Sequence, residues 1–287
     1  MNLRQSFSIF IALCGNILVA NAQKQPQVQD ASVRAPIGVK IDGKLNEWQN
    51  PFINPQKYTG FLSAFNSSSR IYYTVANDDQ NLYLVVRGLG NGVSKKVLSG
   101  GLTFTISKAD KKNRGKDPDK ISVGFPLPVD AKTTSFIMST INQTQDFADD
   151  TVKYRNSIDS LDVIANKMVA AAAKEMRITG IKEIKDSVIS IYNTEGIKAA
   201  ICFIQVQPAI EIAIPLKYLG LSSDAAAGFS YNIRIDAVAE ASRFYNQPDV
   251  AKEIAANGGM ATMSTNPNNG YAWNPTDFWG EYVLAKK

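Results

Sequence analysis

Residues 71–88, IYYTVANDDQNLYLVVRG, contain two runs rich in apolar and aromatic residues on either side of the polar stretch NDDQ at 77–80. Alternating β-branched and aromatic residues favour extended strands, whereas Asn and Asp at the junction favour a tight turn. The stretch therefore predicts an antiparallel β-hairpin.

Other segments show the same alternation and predict further strands. They are LTFTIS from Leu102, ISVGF from Ile121, a second hairpin from Val188 to Phe203 and FSYNIRIDAVA from Phe229. In the last segment, apolar residues from Phe229 to Ile235 alternate with the polar row Ser230, Asn232, Arg234 and Asp236. We therefore predict a mainly β chain built as a jelly-roll-like sandwich of two antiparallel sheets.

One segment follows a helical period instead. Between residues 156 and 180, apolar residues recur every three or four positions, from Ile158 to Met176, and Gly180 ends the pattern. This predicts one long amphipathic helix inserted at about 156–180 into a single sandwich domain that spans 36–287.

The N-terminal residues have the features of an export signal. In residues 1–22, Arg4 is the only charged residue, an apolar stretch runs from Phe7 to Val19, and Ala20 and Ala22 fit an A-x-A cleavage site. We predict a signal peptide at 1–22 followed by a polar linker at 23–35. The mature protein is expected to be periplasmic, on the outer surface or secreted, with no membrane span.

Composition excludes several kinds of chemistry. The chain has 287 residues, a net charge of +5 and no histidine. Without histidine, Ser-His-Asp and Cys-His catalysis and the usual zinc sites are excluded. The basic stretch 108–120 contains three Asp and lies between predicted strands, which indicates a solvated loop rather than a nucleic-acid surface. No nucleic-acid partner is predicted.

Three short segments each couple a strand to a turn or a helix start: IDGKLNEW at 41–48, EIAIPLKYLG at 211–220 and FWGEYVL at 278–284. In the second, Ile212 and Ile214 are expected to face inward, Glu211 outward, and Pro215 to end the strand. Together the segments resemble the family 9 carbohydrate-binding modules and the related DOMON-like β-sandwiches of exported bacterial proteins. The haem-binding DOMON branch is excluded because it holds iron through histidine.

The resemblance implies a sugar clamped between aromatic rings. Trp273 lies in a loop rich in Gly, Asn and Pro, where the family places a stacking aromatic, and Tyr271 is beside it. Hydroxyl partners are expected from Asn232, Arg234 and Asp236, although these residues also fit an ordinary solvated strand face with an Arg–Asp pair. The opposing ring would be Tyr58, Phe61, Tyr72 or another residue. Trp48 and Trp279 are expected in the core.

The resemblance implies a non-catalytic exported module whose partner is a glycan or polysaccharide. Two alternatives remain open: a cell-envelope structural or assembly protein without a sugar site, and a glycoside hydrolase. For a hydrolase no carboxylate pair is identified, and Glu211, Asp236 and Glu240 are candidates only because they lie near the later strands. No cofactor is predicted, but the oxygen-rich clusters at 146–150 and 77–81 leave calcium as an option.

Overall fold

The computed structural model describes residues 25–48, 62–143, 151–221, 228–237, 271–272 and 274–286. These residues form two antiparallel sheets, as predicted. The first sheet has five strands in the order β1-β2-β3-β9-β8: β1 (Ala64–Asn66), β2 (Ile71–Asn77), β3 (Asn81–Gly88), β8 (Lys198–Ile204) and β9 (Gln207–Pro215).

The second sheet has six strands in the order β11-β10-β4-β5-β6-β7. They are β4 (Leu102–Ser107), β5 (Ile121–Gly124), β6 (Glu175–Thr179), β7 (Val188–Ser190), β10 (Gly228–Ile235) and β11 (Thr276–Val283). The hairpin predicted at 71–88 is confirmed as β2 and β3, joined by a turn in which Asp78 Oδ1 accepts hydrogen bonds from the backbone amides of Gln80 and Asn81, both at 2.7 Å. The hairpin predicted between Val188 and Phe203 is wrong, because β7 and β8 belong to different sheets.

The main core lies between the two sheets. Strand β10 contributes Tyr231, Ile233 and Ile235, which are fully buried, and β3 and β9 face them with residues such as Leu84 and Ile212. Because successive side chains of a strand point to opposite faces, Asn232 and Arg234 lie on the outer face of the second sheet.

The outer face of the first sheet carries a second buried cluster, made with the segment IDGKLNEW. Trp48 is buried, as predicted, and its ring packs edge-on against Tyr83 with centroids 5.8 Å apart. Glu211 points outward to this face, as predicted, but it is fully buried there. The physical reason is that residues 33–48 cover the outer face and make the sheet buried on both sides.

Four helices accompany the sheets in the described part of the chain: α1 (Asn91–Gly100), α2 (Ala131–Asn142), α3 (Thr151–Ala172) and the single turn α4 (Leu216–Leu219). The long helix predicted at 156–180 is therefore present, but it begins at Thr151 and ends at Ala172. Met176 and Ile178 belong to β6, where they alternate inward with exposed neighbours. The end of β9 at Pro215 and the helical turn after it are confirmed.

Residues 25–35, which we call the strap, were predicted as a linker but pack against both sheets. The side-chain amide of Gln29 bonds to the backbone N and O of Val75 in β2, each at 2.8 Å. Ser32 Oγ donates to the Val283 carbonyl of β11 at 2.6 Å. The strap thus joins the edge strand of the second sheet to the first sheet. Its polar side chains bond to backbone rather than to water alone, which the linker prediction did not anticipate.

Among the described residues, no helix has the length and apolar character needed to cross a bilayer.

Candidate functional site

Tyr271 lies at one end of the sandwich, where its contacts hold it in place. Its hydroxyl donates to the Ser69 carbonyl at 2.6 Å. The guanidinium carbon of Arg70 lies 4.4 Å from the ring centroid, and the Lys96 amine lies 4.2 Å from it. Burial raises the pKa of Tyr271 to about 12. The ring thus packs against cations of its own chain.

Lys96, on α1, is a member of this cluster that was not predicted. Its side chain is fully buried and its amine donates to Thr276 Oγ1 at 2.9 Å. The pKa of Lys96 is lowered to about 8, mainly by burial; Asp236 opposes this shift, and the cations Arg234 and Arg70 contribute to it. Lys96 follows Val93 by three residues and precedes Val97, and all three lie on the buried side of α1. This helical spacing is the sequence signal from which the burial of Lys96 could have been predicted.

The predicted polar row is only partly available to a ligand. Asn232 is buried, and its amide donates to Asp277 Oδ2 and to the Phe278 carbonyl, both at 3.0 Å. Arg234 and Asp236 are 44% and 38% exposed and pair with each other at 2.6 Å. The structure therefore brings Arg234 and Asp236 near Tyr271 and Lys96, while it ties Asn232 to β11.

The aromatic residue proposed for stacking, Trp273, lies outside the described residues, as do Tyr58 and Phe61. Tyr72 packs against Phe65 with ring centroids 4.5 Å apart.

Trp279, expected in the core, lies instead on the outer face of β11 and is partly exposed. In the β10–β11 register it stands opposite Asn232, and the inward position next to it is Gly280, opposite Tyr231. A Cβ at Gly280 would lie 2.1 Å from the Tyr231 ring, so only glycine fits there. This register places Gly280 and Tyr282 inward, which turns Trp279 and Glu281 outward.

A groove adjoins Trp279. It consists of two depressions of about 500 and 450 Å³ that share Asp30, Lys111 and Glu281 in their lining. The lining comes from three places: strap residues 28–32, the loop residues 108–111 and 114 between β4 and β5, and the facing parts of β10 and β11. We call this feature the Trp279 groove.

The loop that lines the Trp279 groove is held by its own polar contacts. Ser107 Oγ donates to Asp117 at 2.6 Å, and this bond is the main cause of the lowered pKa of Asp117. The Asp110 carboxylate accepts from the backbone amides of Lys112 and Asn113 at 3.1 and 2.9 Å. These bonds fix the start and the end of the segment that carries Arg114.

Arg114 projects from this loop over Trp279. Its guanidinium carbon lies 4.8 Å from the centroid of an indole ring, and Nη1 lies 3.9 Å from Glu281 Oε1. The Arg114 side chain is 16% exposed and that of Glu281 is 63% exposed. The groove therefore offers part of an aromatic surface together with charged donors and acceptors.

Metal binding has no support from the described residues, in which no group of three or more His, Cys, Asp or Glu is placed to hold an ion. At the 77–81 hairpin, Asp78 bonds to its turn and to the Tyr83 hydroxyl, and Asp79 pairs with Arg34. The cluster at 146–150 lies outside the described residues.

The carboxylates considered for hydrolysis are likewise engaged. Glu211 accepts hydrogen bonds from the Trp48 indole at 2.7 Å and from the Gly43 amide at 2.7 Å, and Asp236 pairs with Arg234. Glu240 lies outside the described residues.

Comparison with known proteins gave no match to a family model, to a curated protein or to a solved structure. The resemblance to carbohydrate-binding modules therefore rests on the three sequence segments alone.

Proposed function

We propose that the chain is a non-catalytic carbohydrate-binding module and that the Trp279 groove holds the sugar. The observation that carries the proposal is a partly exposed indole on the outer face of the second sheet, in the lining of a groove of suitable size. An indole covers the apolar face of a pyranose well, and its exposure to water is costly unless a ligand uses it.

The lining of the groove suits sugar hydroxyls. Lys111 and Arg114 supply donors, and Asp30 and Glu281 supply acceptors. A hydroxyl both donates and accepts, so a mixed lining can bond to several hydroxyls of one ring. Hydrogen bonds to charged groups are the stronger ones, which favours binding in a shallow site.

Calorimetric titration against a panel of neutral and acidic oligosaccharides tests the proposal. Trp279→Ala should abolish measurable binding while it leaves the fold intact, because the side chain lies outside the main core. Tyr192→Ala is the matched control, since this tyrosine is 77% exposed and lies outside the groove lining. If no glycan in the panel binds the wild type, the proposal fails and a structural or assembly role in the cell envelope takes its place.

A hydrolase is the remaining alternative, and the same panel distinguishes it. Release of new reducing ends would indicate turnover, for which Asp30 and Glu281 are the candidate pair because both line the groove and glycosidases need two carboxylates. Export forms part of our proposal, since residues 1–22 have the pattern of a signal peptide.

A further inference from the structure

Arg114 is the most buried charged residue in the lining of the Trp279 groove. A guanidinium has five N–H donors and keeps its charge at all ordinary pH values. Within the described residues, the guanidinium of Arg114 makes no hydrogen bond and has a single carboxylate contact, to Glu281 at 3.9 Å, which is longer than a hydrogen bond. The side chain is 16% exposed, so the guanidinium is partly desolvated.

A partly buried guanidinium without hydrogen-bond partners favours an anionic ligand. A partly desolvated charge is costly unless it is paired and hydrogen-bonded. The planar guanidinium fork fits a carboxylate through two parallel hydrogen bonds, which a spherical ammonium group cannot offer. Contact with the indole fixes the plane of the fork and so reduces the entropy lost when a ligand binds.

The charged neighbours of Arg114 influence which ligand the groove can bind. Lys111 lines both depressions and supplies a second cation. Asp30 and Glu281 are carboxylates in the same lining, and Glu281 is the one in contact with Arg114. Glu281 is 63% exposed and this contact is long, so Glu281 can turn into solvent when a ligand carboxylate arrives. Asp110 is held by its own turn and does not reach across to pair with Arg114 in the structure.

We infer that the Trp279 groove takes an acidic glycan, in which a uronate carboxylate pairs with Arg114 while the pyranose ring lies against the exposed part of the Trp279 indole. This inference rests on the proposed function and names the substrate class of the same site.

The experiment compares trisaccharides of galacturonate and of mannuronate with an uncharged galactose trisaccharide and a sulfated one, by calorimetric titration of the full protein. At least one uronate trisaccharide should bind about tenfold tighter than the uncharged sugar, a difference of about 1.4 kcal/mol. Arg114→Gln should remove this preference, so that the uronate and the uncharged trisaccharide bind the variant about equally. Glu281→Gln should raise uronate affinity, because it removes the internal competitor.

Arg177→Gln is the matched control, since Arg177 is an exposed arginine on β6, outside the groove lining. It should alter no affinity. Equal, Trp279-dependent binding of charged and uncharged sugars would overturn the inference while the proposed function stands. Tighter binding of any sugar to Arg114→Gln would also overturn it, because Arg114 would then only cover the indole. Preference for the sulfated sugar would overturn the carboxylate assignment, and absence of all binding would remove the proposed function itself.

Discussion

Glu211 shows how one side chain fixes the position of a whole motif. One of its oxygens accepts from the Trp48 indole at 2.7 Å, and the other accepts from the backbone amides of Gly43 and Asp42 at 2.7 and 3.0 Å. The residue is fully buried, and burial raises its pKa while these bonds oppose the shift. The carboxylate thus holds the Asp-Gly turn and the tryptophan of IDGKLNEW against β9.

Glu211→Ala should therefore destabilise the fold by about 3 kcal/mol or more, because it leaves buried donors without an acceptor. Chemical denaturation measures the loss. Glu211→Gln, which keeps one acceptor oxygen, should lose less. A loss below about 1 kcal/mol for the alanine variant would show that water replaces the carboxylate, which contradicts the burial of the site.

The buried amine of Lys96 makes the stability of the fold depend on pH. Its pKa falls to about 8 in the folded state from an ordinary 10.5, so the unfolded chain binds more protons between these values. The contribution of Lys96 to stability then rises as pH increases through this range.

We expect Lys96 to add roughly 2 to 3 kcal/mol to the free energy of unfolding between pH 8 and pH 10, at about 1.4 kcal/mol per pH unit. Lys96→Met, which keeps the length of the side chain, should remove this rise. Denaturant titrations of both proteins at pH 7, 8, 9 and 10 measure the difference between them. Parallel curves for the two proteins would mean that Lys96 keeps an ordinary pKa.

At the scale of elements, α3 shows why a helix interrupts the strand pattern. Asp162 accepts hydrogen bonds from the amides of Gln205 and Val206 at 2.6 and 2.8 Å, where both turn residues have positive φ angles of 52° and 55°. Asn166 donates to the Phe203 carbonyl of the edge strand β8 at 2.9 Å. The helix therefore covers the edge of the first sheet and satisfies an otherwise costly turn.

The elements that the sequence predicted well are those with a single strong period. The β2–β3 hairpin and the break at Pro215 needed only local information. The end of α3 was missed because Met176 fits a helical spacing and a strand alternation equally well. Only its pairing with Ile189 in β7 decides between them, and that contact is not local in sequence.

The orientation of side chains was harder to predict than the strands that carry them. A strand pattern separates two faces but does not say which face a later layer covers. Glu211 does point to the outer face, as predicted, but the segment 33–48 that buries it could not be seen from β9 alone. Trp279 was assigned inward because the size of an indole suggests a core, whereas the pairing of Gly280 with Tyr231 settles its direction.

At the scale of the whole molecule, the strap connects stability with the groove. It crosses from β2 to β11, and residues 28–32 line the groove beside Trp279. Tyr282 reinforces the crossing, since its hydroxyl donates to the Val33 carbonyl at 2.8 Å. A change that loosens the strap should therefore affect both the fold and the ligand.

Gln29 and Gln27 provide a matched test of this coupling. Gln29 is buried, and its amide replaces strand partners for Val75, so Gln29→Ala leaves a backbone N–H and a C=O of β2 without partners. We expect a loss of about 1 to 3 kcal/mol, measured by denaturation, and weaker glycan binding in the Trp279 groove. The Gln27 side chain bonds only to Ser67 among the described residues, at the surface and at 2.9 Å, so Gln27→Ala should change stability by less than about 0.5 kcal/mol. Because the strap joins both sheets, Gln29→Ala should still unfold in a single transition with a lowered midpoint. A separate early transition in that variant would contradict the coupling, since the strap would then leave the sandwich without disturbing the rest of the fold.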